Sequence, residues 1–200
     1  MRKLLSVVVA MLSLLVGMVA LSAADEAPLA KPNVLTDETI STGQPLSCYD
    51  TIIIRDLKMD NARYEHVDEE TRAKIDAMKP MLNRIYQESL AMELRNRNLF
   101  KHIQTGDQAG GKAVVLEGEI VEFDAGSRAL RFWVGFGAGK TYLLLKGRLV
   151  DAQTGKELAR FEDRETGYKG VMSMEDFEAL FPHQAKSLGE NVATFIGKLY

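Results

Sequence analysis

Residues 142–164 alternate in a way that leaves the chain few options. Leu143, Leu145, Gly147 and Leu149 fall on one side of an extended backbone, and Lys146 and Arg148 on the other. Asp151-Ala152-Gln153-Thr154-Gly155 then supplies a turn, with Gly155 able to take the positive φ that such loops need. Glu157 to Arg164 returns as the partner strand, with Glu157 and Glu162 placed to pair with Lys146 and Arg148. This is a hairpin with one buried and one wet face, which belongs in an antiparallel sheet.

The hairpin extends upstream. Val114, Leu116, Ile120 and Phe123 lie among Glu117, Glu119 and Glu122, an imperfect alternation that predicts a further strand. Asp124-Ala125-Gly126-Ser127 reads as a turn, and Leu130, Phe132 and Val134 alternate with Arg131 and Trp133. Gly135-Phe136-Gly137-Ala138-Gly139 interrupts before the hairpin. Gly139-Lys140-Thr141 ends like a phosphate-binding loop, but that motif needs a glycine at position 134, which is Val. Strand-like Tyr142-Leu143-Leu144-Leu145 follows, so the loop lacks the helix N-terminus that would support an anion. The spacing predicts a loop between strands.

Earlier in the chain, Tyr49 to Met59 reads as a strand centred on the β-branched Ile52-Ile53-Ile54. Residues 61–67 read as a loop. Asp68-Glu69-Glu70-Thr71 marks a helix start, and Met78, Leu82, Ile85, Tyr86, Leu90 and Leu94 make a helical stripe that runs to about Asn98. Pro80 predicts a break or kink near Lys79. A second strand begins at Leu99-Phe100-Lys101-His102-Ile103, and Met174 to Tyr200 reads as a helix interrupted at Pro182. The fold class expected is α+β: an antiparallel sheet of about five strands, a long helix after the first strand, and a C-terminal helix packed on one face.

The N-terminus carries an address. Arg2 and Lys3 precede the almost wholly apolar Leu4–Leu21, and Ser22-Ala23-Ala24 offers a small-residue cleavage site. The expected division is a secretory signal at 1–24, a flexible linker at 25–47 and one domain at 48–200. An uncleaved segment would be the chain's membrane contact. Loss of Arg2 and Lys3 takes the net charge from −3 to −5, which argues against nucleic-acid binding. The expected location is the periplasm. Cys48 is the single cysteine, so it has no internal disulfide partner and reads as a small buried residue.

No catalytic constellation emerges. His66, His102 and His183 lack a second His or Cys at metal-ligand spacing, the serines lack a nucleophile-elbow context, and no dinucleotide fingerprint is present. The expectation is a non-enzyme with no metal and no cofactor. One group suggests recognition: Arg128, Arg131, Trp133, Phe136 and Lys140 flank the glycine loop and form a candidate interaction surface. The other reading of the same residues packs Phe132 and Trp133 on opposite sheet faces, with the cations guarding an edge.

The run GSRALRFWVGFGAGKTYLLLKGRLVDAQTGKELARF, Gly126 to Phe161, closely resembles a bacterial family named domain of unknown function 4410 (DUF4410). The upstream GEIVEF and the helix end NLFKHI fit its pattern too, so the resemblance covers roughly residues 49–199. It implies an exported envelope protein, in many members a lipoprotein, and it carries over no activity and no catalytic residues. This chain has no Cys at the end of its apolar segment, which argues against a lipid anchor. A looser similarity, in Phe100-Lys101-His102-Ile103 and Asp151 to Gly155, is to the N-terminal domain of TolB and to the penicillin-binding-protein activator LpoB. It implies a protein-binding module. The functional expectation is therefore an accessory domain that binds an envelope protein or itself. The alternative is a small periplasmic ligand-binding protein or enzyme that uses the glycine-rich loop.

Overall fold

The computed structural model describes residues 27–106, 111–127, 140–166 and 176–200. Its elements are β1 (Asp37–Ile40), β2 (Thr51–Ile54), β3 (Arg63–Glu65), α1 (Glu69–Asn96), β4 (His102–Thr105), β5 (Ala113–Asp124), β6 (Tyr142–Asp151), β7 (Glu157–Thr166) and α2 (Phe177–Leu199). The fold is α+β, as expected. Among the described residues the sheet has seven strands in the order β1-β7-β6-β5-β2-β4, with β3 paired to β5.

The sheet is mixed and not purely antiparallel. β2 runs parallel to both β4 and β5, and β3 runs parallel to β5. The cause is α1. A helix of 28 residues carries the chain back along the sheet, so the next strand enters in the same direction as β2. Ile52, Ile53 and Ile54 are at most 1% exposed, which is the two-faced burial of an inner parallel strand. Three strands precede α1, not one, because residues 37–40 and 63–65 also pair. Residues 63–65 fall inside the stretch expected to be a loop. β3 continues the lane of β2: β5 is flanked on that side first by β2, then by a bridge at Lys58, then by β3.

The stretch 25–47 expected to be a linker contributes β1, which lies antiparallel to β7 at the sheet edge. Its ordering rests on few apolar residues and one carboxylate. Leu35, Ile40 and Leu46 are buried. Glu38, 3% exposed, accepts backbone N–H bonds from Asn33, Val34 and Leu35 at 2.8, 2.7 and 2.8 Å. Three charge-assisted bonds make burial of that carboxylate tolerable. The β6–β7 hairpin forms over 142–166, and Asp151 accepts from Gln153 N, Thr154 N and Thr154 Oγ1 at 2.9, 2.7 and 3.0 Å to build its turn.

α1 begins as the sequence predicts, with Asp68 accepting from Thr71 N at 2.8 Å. It does not break at Pro80. An interior proline costs about 3 kcal/mol. Burial of Ile75, Leu82, Tyr86, Leu90 and Leu94 contributes about 1.5–3 kcal/mol for each side chain and outweighs it. Pro80 itself lies on the exposed face, where water can reach the carbonyl it leaves unbonded. α2 likewise continues through Pro182. Both helices pack on one sheet face over a core that includes Leu116, Phe123, Leu145 and Phe161. The opposite face holds a small second cluster of Ile53, Ala113 and Val115.

Candidate interaction surface

The candidate surface lies where β5 ends and β6 begins, so the geometry of those two strand ends fixes what can stand there. β5 carries a bulge between Ile120 and Glu122. In a regular strand these two residues would share a face. The extra residue, Val121, turns Glu122 to the outer face and lets Phe123 follow Ile120 into the core.

Glu122 is only 3% exposed despite facing away from the helices. The exposed Arg63 of β3 pairs with one of its oxygens and the Tyr142 hydroxyl donates to the other. Burial, with the Glu122 bond and charge, pushes the Tyr142 phenol up to about 12, so it is a donor at neutral pH. The Arg164 guanidinium of β7 stacks over the Tyr142 ring at 4.4 Å from its centroid. Two residues on, Asp124 accepts from Gly126 N at 2.7 Å and contacts His66 Nδ1 at 2.9 Å. Gly126 has φ of 68°, where a glycine is favoured.

The return limb is held from the other side. Thr141 is fully buried, and Gln184 Nε2 of α2 donates to its carbonyl at 3.1 Å and to its Oγ1 at 2.9 Å. Lys140 is half-buried and partnered. Arg128, Arg131, Trp133 and Phe136, the other four candidates, lie outside the described residues. The structure therefore locates the two limbs that lead to them and places Lys140 at the base.

Sequence reasoning missed the residues that build this base: Arg63, His66, Glu122, Asp124, Tyr142 and Arg164. One signal was available. The alternation of Ile120 and Phe123 is out of step by one residue, which is what a bulge produces. Nothing in the sequence pairs Arg63 or His66 with β5, because that contact depends on the β2–β3 lane. Elsewhere on the outer face Lys146 meets Glu162 at 3.0 Å as expected. Arg148 instead meets Glu117 at 2.7 Å, and Glu117 also pairs with Arg55.

The donors at Glu122 give a direct prediction. Tyr142→Phe keeps the ring under Arg164 and removes a donor to a buried carboxylate. We expect a loss of about 1–3 kcal/mol in urea unfolding. An unchanged midpoint would mean that this hydroxyl is not bonded in solution.

Beside this end lies an open depression of about 550 Å³ lined by Tyr64, Val67, Asp68, Glu69 and Arg72. Arg72 covers the Tyr64 ring at 4.7 Å, and Tyr64 stacks on Phe123 with centroids 5.7 Å apart. Among the described residues no three His, Cys, Asp or Glu side chains are grouped to hold a metal. Cys48 is free and half-buried. No helix among the described residues is long and apolar enough to cross a membrane.

Comparison with known proteins gives a family match and distant structural likenesses. A family model described as "Domain of unknown function (DUF4410)" matches residues 52–170, more than half of the chain. No curated protein matches. Among solved structures, the PelC dodecamer from Paraburkholderia phytofirmans is 12% identical, with 78% of this chain and 97% of that chain covered and a TM-score of 0.43. Protein XCC0632 from Xanthomonas campestris is 10% identical, with 74% of this chain and 85% of that chain covered and a TM-score of 0.45.

Proposed function

Because the chain belongs to the DUF4410 family, whose description names no activity, we propose a function read from its own residues: a non-catalytic, exported envelope domain that binds a protein partner. The contact is made through the β5–β6 connection, with Arg128, Arg131, Trp133, Phe136 and Lys140 as the contacting residues. Export is supported by the apolar run at 4–21 and the small residues after it. The partner is an envelope protein or a second copy of this chain.

One observation carries the reading. The polar groups at the strand ends are engaged with each other. Glu122 is held by Arg63 and Tyr142, Asp124 by Gly126 and His66, and Thr141 by Gln184. A catalytic carboxylate presents a free oxygen to substrate, whereas both oxygens of Glu122 are engaged by internal donors. Carboxylates tied to internal donors instead fix the two limbs of a connection. Two fixed strand ends joined by a segment whose sequence holds a Trp, a Phe and several cations suit a recognition surface.

The test compares tagged wild type with a Trp133→Ala/Phe136→Ala variant, each recovered from the envelope fraction and quantified by mass spectrometry. We expect one protein, or a second copy of the chain, to fall about tenfold or more in the variant while the melting temperature holds. An identical recovered set would overturn the reading. It would favour the alternative of a small-molecule site, in which the depression beside Tyr64 and Arg72 is the concave candidate.

A further inference from the structure

At the sheet edge formed by β1 and β7, the sheet and both helices meet over a polar corner. Asp163 and Glu165 flank Arg164 along β7, so both carboxylates turn toward the helices, and Asp163 is 5% exposed. Asn191 of α2 donates from a single amide nitrogen to both, at 3.0 Å to Asp163 Oδ2 and 3.3 Å to Glu165 Oε2. Thr36, the residue before β1, donates its hydroxyl to Asp163 Oδ1 at 3.2 Å and accepts from Arg164 N at 3.1 Å. Tyr86 of α1 adds a buried hydroxyl with no hydrogen-bond partner among the described residues, near enough for the Asp163 charge to act on it.

Among the described residues the supply of donors is uneven: Asp163 receives two and Glu165 receives one. Among the described residues the charged groups acting on Glu165 are Asp163 on its own strand and Glu190 on α2, both negative, and Asn191 provides an opposing bond. Burial first, and the Asp163 charge second, hold the Glu165 carboxyl above its ordinary range.

We propose that this corner is an acid-strengthened clasp: a pH-sensitive contact that ties β7 and the entry to β1 onto α2 more firmly in mildly acidic than in neutral solution. When Glu165 takes a proton from solvent, one negative charge leaves the neighbourhood of Asp163 and Glu190. The new O–H becomes a donor, and the other oxygen still accepts from Asn191. The stabilising contribution is fully present below the ordinary glutamate value of about 4.5 and is lost as pH rises through the raised folded-state value.

This trend runs against that of other acids in the chain. Hydrogen bonds from Lys101 to Asp50, from Thr71 to Asp68 and from Lys79 to Asp76 hold those carboxyls low, and their contributions are lost on acidification. A global melt mixes the two trends, so the test is local. Amide hydrogen exchange of residues 36–40, corrected for intrinsic rates and referenced to β4, is compared at about pH 5 and about pH 7. Wild type is expected to show about threefold or greater protection at the lower pH, and Glu165→Gln to show high protection at both. Asp163→Asn, which removes the neighbouring charge, is expected to reduce the pH dependence. Equal wild-type protection at the two pH values, or a pH dependence undiminished in both variants, overturns the proposal.

Discussion

Gly189→Leu is expected to prevent stable folding, and even Gly189→Ala to cost about 1–3 kcal/mol. Gly189 lies on the face of α2 that crosses α1. A Cβ there would stand 2.7 Å from the Tyr86 carbonyl oxygen, 3.0 Å from Leu90 N and 3.1 Å from Ser89 Cβ. The first two are backbone atoms, so relief requires the helices to move apart. Ser89 Oγ resists this, since it donates to the Lys186 carbonyl across the same crossing at 2.9 Å. Alanine gains about 1 kcal/mol in helix propensity over glycine, which a contact this close outweighs. A leucine adds three more carbons to the same space, against a total stability of about 5–15 kcal/mol for such a domain. Gly197→Ala is the internal control. Its Cβ would meet Leu99 Cδ1 at an ordinary 3.4 Å, so this change should be neutral or stabilising. Urea unfolding of both alanine variants checks the account, and a Gly189→Ala midpoint at or above wild type would refute the close approach.

Gly147→Val is the second change with a large expected effect, a loss of about 3 kcal/mol or more. Strand propensity alone predicts a gain of up to about 1 kcal/mol, because valine suits a strand better than glycine. The neighbours decide otherwise. Gly147 pairs with Gly118 on one side and Phe161 on the other. A Cβ on Gly147 would fall 2.3 Å from Phe161 Cζ, in steric overlap with the ring that covers this glycine. Phe161 is 2% exposed and packs against Phe195 with centroids 5.3 Å apart. Admitting the valine means displacing a buried aromatic. Combining Gly147→Val with Phe161→Leu should therefore recover part of the loss, read as a coupling energy in a double-mutant cycle. Strictly additive losses would show that the ring is not the obstacle.

The elements legible in the sequence were those whose pattern is local. The β6–β7 hairpin was readable because alternation and turn chemistry agree within one stretch, Tyr142 to Arg164. The start of α1 was readable from Asp68 and the acids after it, and its inward face from residues such as Leu82, Tyr86 and Leu90. What was not legible depends on distant partners. β1 has only four residues, and the signal for its ordering is the capture of three backbone amides by Glu38, which no periodicity reveals. β3 is an extension of another strand's lane. The parallel pairing of β2 and β4 was in reach, because a long helix between two strands brings the chain back in the same direction. The prolines misled because their penalty was weighed without the burial that opposes it. At the candidate surface, the sequence marked the connection between β5 and β6. It did not mark the base that holds it, because Arg63, Glu122, Tyr142 and Arg164 come from four strands that only the fold brings side by side.

In the proposed function the β5–β6 connection is where this domain meets a protein. The most direct test of this is photocross-linking in cells from a reactive residue placed at position 133 or 136, with Ala73 on the exposed face of α1 as the control position. A discrete adduct, to one envelope protein or to a second copy of the chain, is expected from 133 or 136 and not from 73. No adduct from either loop position in a correctly folded, exported protein, or the same adducts from position 73, would contradict it.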